Sequence, residues 1–316
     1  MANVLLSTKA VGSTVKLKVN GTAKEFIVVH QGKPSSLYDN SCDGTWLLMK
    51  DIYENRQWHN SNVNNLENST IHSYLNGTFL NLFESNIRDA IKQVKLPYRK
   101  NGGSGGSDQS GANGLLCKIF LLSGYEIGFT TSDNSYFPVD GAKLSYFEAG
   151  TGTSANNKRI ANLNGSAAYW WLRSPDADYT GNVWDVLTDG SYGSNGASLS
   201  NGIRPALILP STLLVSDDGT VSTNTPPTIT STSGASGVNL GSKTAAFSFK
   251  YTPNDADGDK LTVTEKLDGV VKKTRTNVTS GTQLTFECAS TAAEFQKILN
   301  GTHTITIEAS DGKASA

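Results

Sequence analysis

The most informative stretch of the chain runs from Tyr169 to Leu209 and reads YWWLRSPDADYTGNVWDVLTDGSYGSNGASLSNGIRPALIL. Residues 169–173 and 183–187 are rich in aromatic and β-branched side chains, which is typical of strands. Asp189-Gly190 follows the second of these segments and is a strong turn signal. The apolar run at 203–209 predicts one central strand that is covered on both faces. We therefore expect a small sheet with polar loops at one end.

The N-terminal half predicts more strands, two short helices and one mobile loop. Apolar and polar residues alternate from Val15 to Val19, Asn20-Gly21 follows, and an apolar run returns at 26–29, which predicts a hairpin. A further strand is expected at Thr45–Lys50. Asn68-Ser69-Thr70 and Ser85 precede apolar positions at helical spacing and are expected to cap helices. The Gly/Ser stretch Asn101–Gly114 offers little apolar surface to bury, so it is predicted to be mobile.

Composition changes near Pro226-Pro227, where rigid prolines stand among Ser and Thr as they do in domain linkers. Beyond this point short apolar runs alternate with turn residues, which predicts an all-β immunoglobulin-like sandwich. The predicted domain boundaries are 1–215 for the ligand-binding domain, 216–227 for the linker and 228–316 for the immunoglobulin-like domain.

Charge and composition exclude several classes of function. The net charge is −1 and the 27 Lys and Arg residues are scattered, so no nucleic acid partner is expected. No run approaches the roughly 20 apolar residues of a membrane span, and the N-terminus lacks a signal peptide pattern, so we predict no membrane insertion. Cys42, Cys117 and Cys288 lie far apart and are expected to be free thiols.

Five blocks of sequence carry a family resemblance. They are Val11–Val15, Ser69–Phe83, Phe120–Ser123, Trp170–Pro175 and Ile203–Leu207. In this order they resemble a family of bacteria and their phages whose C-terminal part is similar to the C-type-lectin-like variable proteins that retroelements diversify. The resemblance covers about residues 1–215. It implies an α+β C-type-lectin-like domain, in which the first and last strands pair, followed by the all-β immunoglobulin-like sandwich.

The same broad fold includes formylglycine-generating enzymes, so catalysis has to be weighed. Those enzymes use a reactive cysteine pair late in the domain, whereas no cysteine lies between Cys117 and Cys288. Residues 102–106 match the G-x-S-x-G pattern of a nucleophile elbow, but no hydrophobic strand precedes them. We therefore predict no catalytic residues and no enzymatic activity.

Metal and cofactor sites are not predicted either. The sugar-binding calcium motifs of C-type lectins, Glu-Pro-Asn or Gln-Pro-Asp and Trp-Asn-Asp, are absent from the sequence. Residues 255–259 gather three carboxylates, yet the glycine comes too early for an EF-hand and no Glu occupies the twelfth place, so a solvated turn is favoured. Arg173 and Arg204 lie within apolar segments and are predicted to have structural roles, because a buried guanidinium must be hydrogen-bonded.

Recognition residues are predicted between Ser174 and Ile203, where rigid aromatic side chains mix with small polar ones, as in antibody paratopes. Tyr179, Trp184 and Tyr192 are the expected anchors. The full set of predicted ligand-binding residues is Asp176, Asp178, Tyr179, Asn182, Trp184, Asp185, Tyr192, Ser194, Asn195 and Ser198.

These features together predict a non-enzymatic ligand-binding or adhesion protein. The resemblance implies a phage tail-associated receptor-binding protein, made in the bacterial cytoplasm and carried on the virion tail or surface. Its partners would be a host cell-surface protein or glycan and other virion subunits, and homo-oligomers are compatible with this role. Retroelement diversification of the recognition face is a further hypothesis. The alternative is a virion spacer or decoration protein that binds no host ligand.

Overall fold

The computed structural model describes residues 4–232, 234–312 and 314–316. The chain divides into two compact units, Met1–Thr223 and Asn224–Ala316. The division falls within the predicted linker 216–227, although residues 214–222 still form a hairpin of the first unit.

The first unit is built from short strands and shorter helices. Its strands are β1 Val4–Leu5, β2 Thr14–Val19, β3 Thr22–Gln31, β4 Thr45–Met49, β5 Glu54–Gln57, β6 Val94–Leu96, β7 Tyr98–Lys100, β8 Ser107–Gln109, β9 Leu115–Cys117, β10 Ile119–Phe120, β11 Asn162–Leu163, β12 Ser166–Ala167, β13 Trp170–Pro175, β14 Asn182–Val186, β15 Tyr192–Gly196, β16 Ser200–Ile203, β17 Ala206–Leu209, β18 Leu214–Val215 and β19 Val221–Ser222. Its α-helices are α1 Thr70–Tyr74, α2 Ser85–Ala90 and α3 Thr153–Asn157. Single 3₁₀ turns occur at Leu6–Thr8, Asn40–Cys42, Leu66–Asn68, Leu80–Leu82 and Gly111–Asn113, and a π turn at Leu75–Phe79.

Two five-stranded sheets organise this unit. One has the strand order β10-β17-β4-β3-β2, and the other has the order β15-β14-β13-β16-β5. The apolar side chains of both sheets are buried, and Trp170 and Trp171 of β13 belong to different core clusters because successive residues of a strand point to opposite faces. The strand β1 pairs with β18 through Val4 and Val215.

Several local predictions are confirmed. The strands β2 and β3 form the predicted hairpin, and Asn20 and Gly21 supply its positive φ angles of 49° and 72°. The strand β4 lies where a third strand was expected. The Ser69 side chain accepts a hydrogen bond from the backbone of His72 and caps α1. Ser85 is instead the first residue of α2 and does not cap it.

The apolar run at 203–209 does not form the single strand that was predicted. Gly202 and Ile203 end β16 in one sheet, whereas Ala206 begins β17 in the other. The break falls at Arg204 and Pro205, because the proline has no N–H to donate to a ladder. The Arg204 guanidinium donates instead to the backbone oxygens of Met49 and Lys50, and this buried side chain has the structural role that was predicted.

The predicted α+β C-type-lectin-like fold is wrong. Strands account for 36% of the residues and helices for only 13%, and the strands are distributed over many small sheets, so the chain is mostly β. The longest α-helix, α2, has six residues. Asn, Gly and Ser, which have low helix propensity, recur in the two predicted helical segments. In the first segment α1 passes directly into the π turn Leu75–Phe79 and the 3₁₀ turn Leu80–Leu82 and does not continue as a regular α-helix. No helix among the described residues is both long and apolar enough to cross a bilayer.

The second unit is also built from strands. They are β20 Thr228–Thr230, β21 Ser248–Asn254, β22 Leu261–Leu267, β23 Val270–Val278, β24 Leu284–Glu287 and β25 Ile305–Ser310, with one helical turn, α4, at Ala292–Phe295. They form the sheets β20-β21-β24 and β23-β22-β25 around a core that includes Tyr251, Val263 and Phe286. The Asp268-Gly269 pair, which as an Asp-Gly dipeptide between two apolar segments predicts a hairpin turn, forms one, with φ angles of 51° and 78°. These strands alone do not establish an immunoglobulin-like sandwich.

Candidate ligand-binding site

The loop of residues 176–181 leaves the second sheet where β13 passes into β14. The two strands are antiparallel, and their register shifts between Trp171 and Pro175. Asp176 begins the loop and is only 3% exposed. One of its carboxylate oxygens accepts a hydrogen bond from the backbone of Asp178 at 3.1 Å, and the other accepts from the Ser194 hydroxyl at 2.8 Å. This carboxylate therefore fixes the base of the loop to the neighbouring strand.

A single buried amide, that of Asn64, holds the rest of the loop. Its Nδ2 donates to the backbone oxygens of Asp176 at 3.1 Å, Tyr179 at 2.6 Å and Asn182 at 2.6 Å. Its Oδ1 accepts from the backbone N–H of Gly103 at 2.8 Å. Asn64 is 1% exposed, so water does not compete for these bonds. The amide thus connects the loop to a second segment that is distant in sequence.

That second segment is the Gly/Ser stretch Asn101–Gly114. It was predicted to be mobile, but the structure shows it folded. It forms part of the hairpin of β7 and β8, and Gly102 and Gly103 are buried. A Cβ atom on Gly103 would lie 2.2 Å from the backbone oxygen of Tyr179. The glycine is therefore required because the two backbones approach each other closely, not because the segment is flexible.

Hydrogen bonds also connect these two loops to the β7–β8 hairpin and to the segment of residues 136–139, and together the contacts form a closed ring. The N–H of Ala177 donates to the backbone oxygen of Tyr136 at 3.0 Å. Arg99 donates to the backbone oxygen of Gly103 at 3.1 Å and pairs with Asp108 at 3.0 Å. The other Asp108 oxygen accepts from the backbone of Val139 at 2.9 Å, which returns to the Tyr136 segment.

Large side chains on this ring are exposed to solvent. Tyr179 is 57% exposed and Tyr136 is 43% exposed, although the backbone oxygens of both residues accept hydrogen bonds. We call the exposed surface the Tyr179 face. It comprises Ser104, Asp108, Tyr136, Val139, Asp178 and Tyr179. Its two tyrosine rings, its two carboxylates and the Ser104 hydroxyl offer both apolar area and hydrogen-bonding groups.

Trp184 and Tyr192 were predicted as ligand anchors together with Tyr179, but Trp184 is buried in the core and Tyr192 is half-buried against it. Trp184 is 3% exposed and stacks on Phe137 with ring centroids 4.1 Å apart. The Tyr192 ring packs edge-on against Trp184 and Phe129, and its hydroxyl donates to the backbone oxygen of Asp133 at 2.8 Å. Both rings lie on the face of β14 and β15 that the segment of residues 129–137 covers. They support the Tyr179 face but do not form it.

Asp185 and Asn195 lie on the opposite face of the same strands. Asp185 is fully buried, and its Oδ2 accepts hydrogen bonds from Asn195 and Asn201 at 2.7 Å each. Its Oδ1 has no hydrogen-bond partner among the described residues. Burial raises the pKa of Asp185 to about 6. This carboxyl group joins three strands and is not accessible to a ligand.

Asn182 and Ser198 are the remaining residues of the predicted ligand-binding set. Asn182 is half-buried and contributes its backbone oxygen to the Asn64 amide. The Ser198 hydroxyl donates to Asn62 Oδ1 at 3.2 Å. Of the ten predicted residues, the structure brings Asp176, Asp178, Tyr179 and Ser194 together, and two of these, Asp178 and Tyr179, are exposed.

A buried ion pair supports the floor of the site. Arg173 pairs with Glu126, with Nη2 at 2.7 Å from Oε1, and it also donates to the backbone oxygen of Asp140 at 2.8 Å. Both partners are at least 98% buried, so the predicted structural role of Arg173 is confirmed. Ser174, the next residue, donates to the Asp140 carboxylate at 2.7 Å, and burial raises the pKa of Asp140 to about 7.

Sequence reasoning missed Asn64, Gly103 and Tyr136. Tyr136 stands in a polar loop of the same character as the predicted one, so the aromatic-in-polar signal could have identified it. Asn64 carries no such signal, because its role depends on three backbone carbonyls that only the folded chain brings together. Gly103 was hidden by its composition, since a Gly/Ser stretch has the same sequence pattern whether it is packed or free.

The fold and this face define a mostly β protein that displays a rigid aromatic and polar surface. Residues 43–211 match the family model described as a domain of unknown function, DUF6273. Because the match spans more than half of the chain, the chain belongs to the DUF6273 family. All residues of the Tyr179 face, and Asn64 and Gly103 below it, lie within the matched segment. No curated protein and no solved structure gave a match to the chain.

Proposed function

We propose that this protein is a non-enzymatic binding protein and that the Tyr179 face binds a hydroxyl-rich ligand, a cell-surface glycan. The observation that carries the proposal is the combination of exposure and order at Tyr179. Its ring is 57% exposed, while the backbone oxygen of the same residue accepts a 2.6 Å hydrogen bond from a buried amide.

Order matters because binding usually costs free energy for immobilising the contact surface. A loop whose carbonyls are already bonded loses little conformational freedom when a ligand arrives. Tyrosine adds large contact area with only two rotatable side-chain bonds. An exposed ring on a loop that is held in this way is therefore suited to recognition, whereas a ring needed for stability would be covered, as Trp184 is.

The chemistry of the face favours a glycan over an apolar ligand. A tyrosine ring presents an apolar face to the C–H side of a sugar, and its hydroxyl remains free to hydrogen-bond. Asp178, Asp108 and Ser104 provide acceptors for sugar hydroxyls around the rings. Gly103 packs directly against the backbone of the loop at Asp176 and Tyr179.

Two observations support binding without catalysis. Burial raises the pKa of Cys42 to about 11 and that of Cys117 to about 12, so neither thiol is a nucleophile near neutral pH. The buried Glu126 carboxylate is paired with Arg173 and accepts from the Tyr38 hydroxyl, so its acceptor sites serve the core.

The proposed setting is a phage particle that adsorbs to a bacterial surface. This part of the proposal depends on the resemblance of the five sequence blocks to a family of bacteria and phages. A virion spacer or decoration protein is the second candidate, and it would have the same fold without needing an exposed aromatic face. The two candidates differ in whether the purified chain binds a glycan.

The test is binding of the purified chain to an array of bacterial surface polysaccharides. We expect at least one polysaccharide to bind, with Tyr179→Ala and Tyr136→Ala each weakening binding by roughly tenfold or more. Tyr169→Ala is the matched control, because Tyr169 is also exposed, at 42%, but lies outside the face. Absence of polysaccharide binding would favour the spacer function.

A further inference from the structure

The loop between β21 and β22 in the second unit carries three carboxylates. Asp255, Asp257 and Asp259 alternate along it, and one oxygen from each lies within 4.8 Å of the others. Asp255 is 7% exposed, whereas Asp257 is open to solvent. Three negative charges at this separation repel one another, and the repulsion is strongest at the buried member.

The two oxygens of Asp255 have different surroundings. Oδ1 accepts hydrogen bonds from the backbone N–H groups of Asp257 at 2.9 Å and Asp259 at 3.0 Å. Oδ2 is also buried, yet it has no hydrogen-bond partner among the described residues. A buried carboxylate oxygen without a partner is destabilising, and most such atoms in folded proteins have one. A cation held among the three carboxylates would provide that partner.

We propose that Asp255, Asp257 and Asp259 bind one Ca²⁺ ion. Calcium prefers oxygen ligands and tolerates irregular geometry, and acidic residues at alternate positions of a loop are a common source of those ligands. The loop differs from an EF-hand, since Gly258 comes fourth and Lys266 occupies the twelfth place. Backbone oxygens and water would therefore complete the coordination shell. This replaces the solvated turn that the sequence favoured.

The site would tie together parts of the second unit that are distant in sequence. A carboxylate oxygen of Asp257 accepts a hydrogen bond from the backbone of Thr225, which precedes β20. The backbone N–H of Asp255 donates to the Ser280 hydroxyl at 2.8 Å, beyond β23. Neutralising the three carboxylates should stabilise this arrangement, so calcium should raise the melting temperature of the chain.

Calorimetric titration of the chelator-treated full chain with CaCl₂ tests the proposal. We expect one ion per chain, a higher melting temperature in calcium, and binding at least tenfold weaker in Asp255→Asn. Asp257→Asn should weaken binding as well, and because this side chain is exposed its loss does not endanger the core. Asp268→Asn is the control, since Asp268 lies in a turn with φ of 51°, where Asn is equally well accommodated.

Three results would overturn the proposal, and the first two concern calcium itself. One is the absence of both binding heat and thermal stabilisation at millimolar calcium in the wild-type chain. The other is calcium binding that Asp255→Asn and Asp257→Asn leave unchanged while both variants fold. Equal binding of Mg²⁺ would also contradict it, because a site that selects calcium should discriminate against the smaller ion.

Discussion

Tyr179 and Trp184 lie five residues apart, and the structure places them in opposite environments. Tyr179 is 57% exposed on a loop, while Trp184 is 3% exposed within β14. The sequence places both among polar residues, so composition alone cannot tell them apart. Strand alternation predicts that Trp184 and Val186 share a face, but not that the segment containing Phe137 covers that face. The candidate anchors were thus identified as a group and could be separated only by tertiary packing.

The core assignment of Trp184 predicts a large effect on stability. Trp184→Ala removes the ring that stacks on Phe137 and leaves a cavity, so it should reduce the free energy of unfolding by about 3–5 kcal/mol. Denaturant unfolding measures this change. Tyr179→Ala is the comparison and should change stability by less than about 1 kcal/mol, because its ring is mostly exposed. Similar effects of the two substitutions would contradict the assignment.

Asp185 predicts a defined pH dependence. Its pKa is raised from 3.8 to about 6 by burial, so the folded state holds the proton more tightly than the unfolded state. The contribution of Asp185 to the stability of the folded state therefore becomes less favourable as pH rises from about 4 to about 6. Asp185→Asn removes this loss. The unfolding free energy of the variant, relative to that of the wild type, should therefore be about 1–3 kcal/mol higher at pH 7.5 than at pH 4.5.

Urea unfolding of both proteins at the two pH values measures that gain. Asp178→Asn serves as the control, because Asp178 is exposed in the adjacent loop and its substitution should leave the difference between the two pH values unchanged. A stability difference between Asp185→Asn and the wild type that is the same at both pH values would show that the carboxyl group is ionised throughout.

At the scale of elements, short-range signals predicted the strands well and their assembly less well. The Asn20-Gly21 and Asp268-Gly269 turns were correctly placed, because positive φ angles at these residue types are a local property. The division of 203–209 between two sheets was missed, because both halves are apolar and the break at Pro205, a residue that cannot donate to a ladder, was given too little weight. The bond from Arg204 to the Met49 backbone, which accompanies the break, joins residues distant in sequence. The strand β23 was missed because its residues are largely exposed and lack an apolar alternation.

The Gly/Ser element predicts that Gly103 cannot be replaced. Gly103→Ala would place a methyl group 2.2 Å from the backbone oxygen of Tyr179, so the loop must shift. We expect roughly tenfold weaker glycan binding and a loss of about 1–3 kcal/mol in stability. Gly77→Ala is the matched control, because nothing lies within 4 Å of a Cβ there and it sits in a helical turn. Glycan binding by Gly103→Ala at wild-type strength would show that the packing under Tyr179 is not required.

At the scale of the whole molecule, the two compact units carry different proposed sites. The Tyr179 face belongs to the segment that places the chain in the DUF6273 family, and the carboxylate loop belongs to the unit that begins at Asn224. The sequence indicated a β-rich chain and a change of composition near Pro226-Pro227. It did not predict the mostly β architecture of the first unit, because the resemblance was carried by five short blocks and a fold depends on how such blocks pair.

The central claim is that a preorganised aromatic face binds a glycan, and one measurement tests it most directly. The affinity of the full chain for a polysaccharide found on the array is measured for the wild type, Tyr179→Ala and Tyr169→Ala. The account predicts that Tyr179→Ala binds the polysaccharide roughly tenfold or more weakly, whereas Tyr169→Ala binds it with an affinity close to that of the wild type. The unfolding free energies of both variants should also be close to that of the wild type. Wild-type affinity in Tyr179→Ala, or an equal loss in Tyr169→Ala, would contradict it.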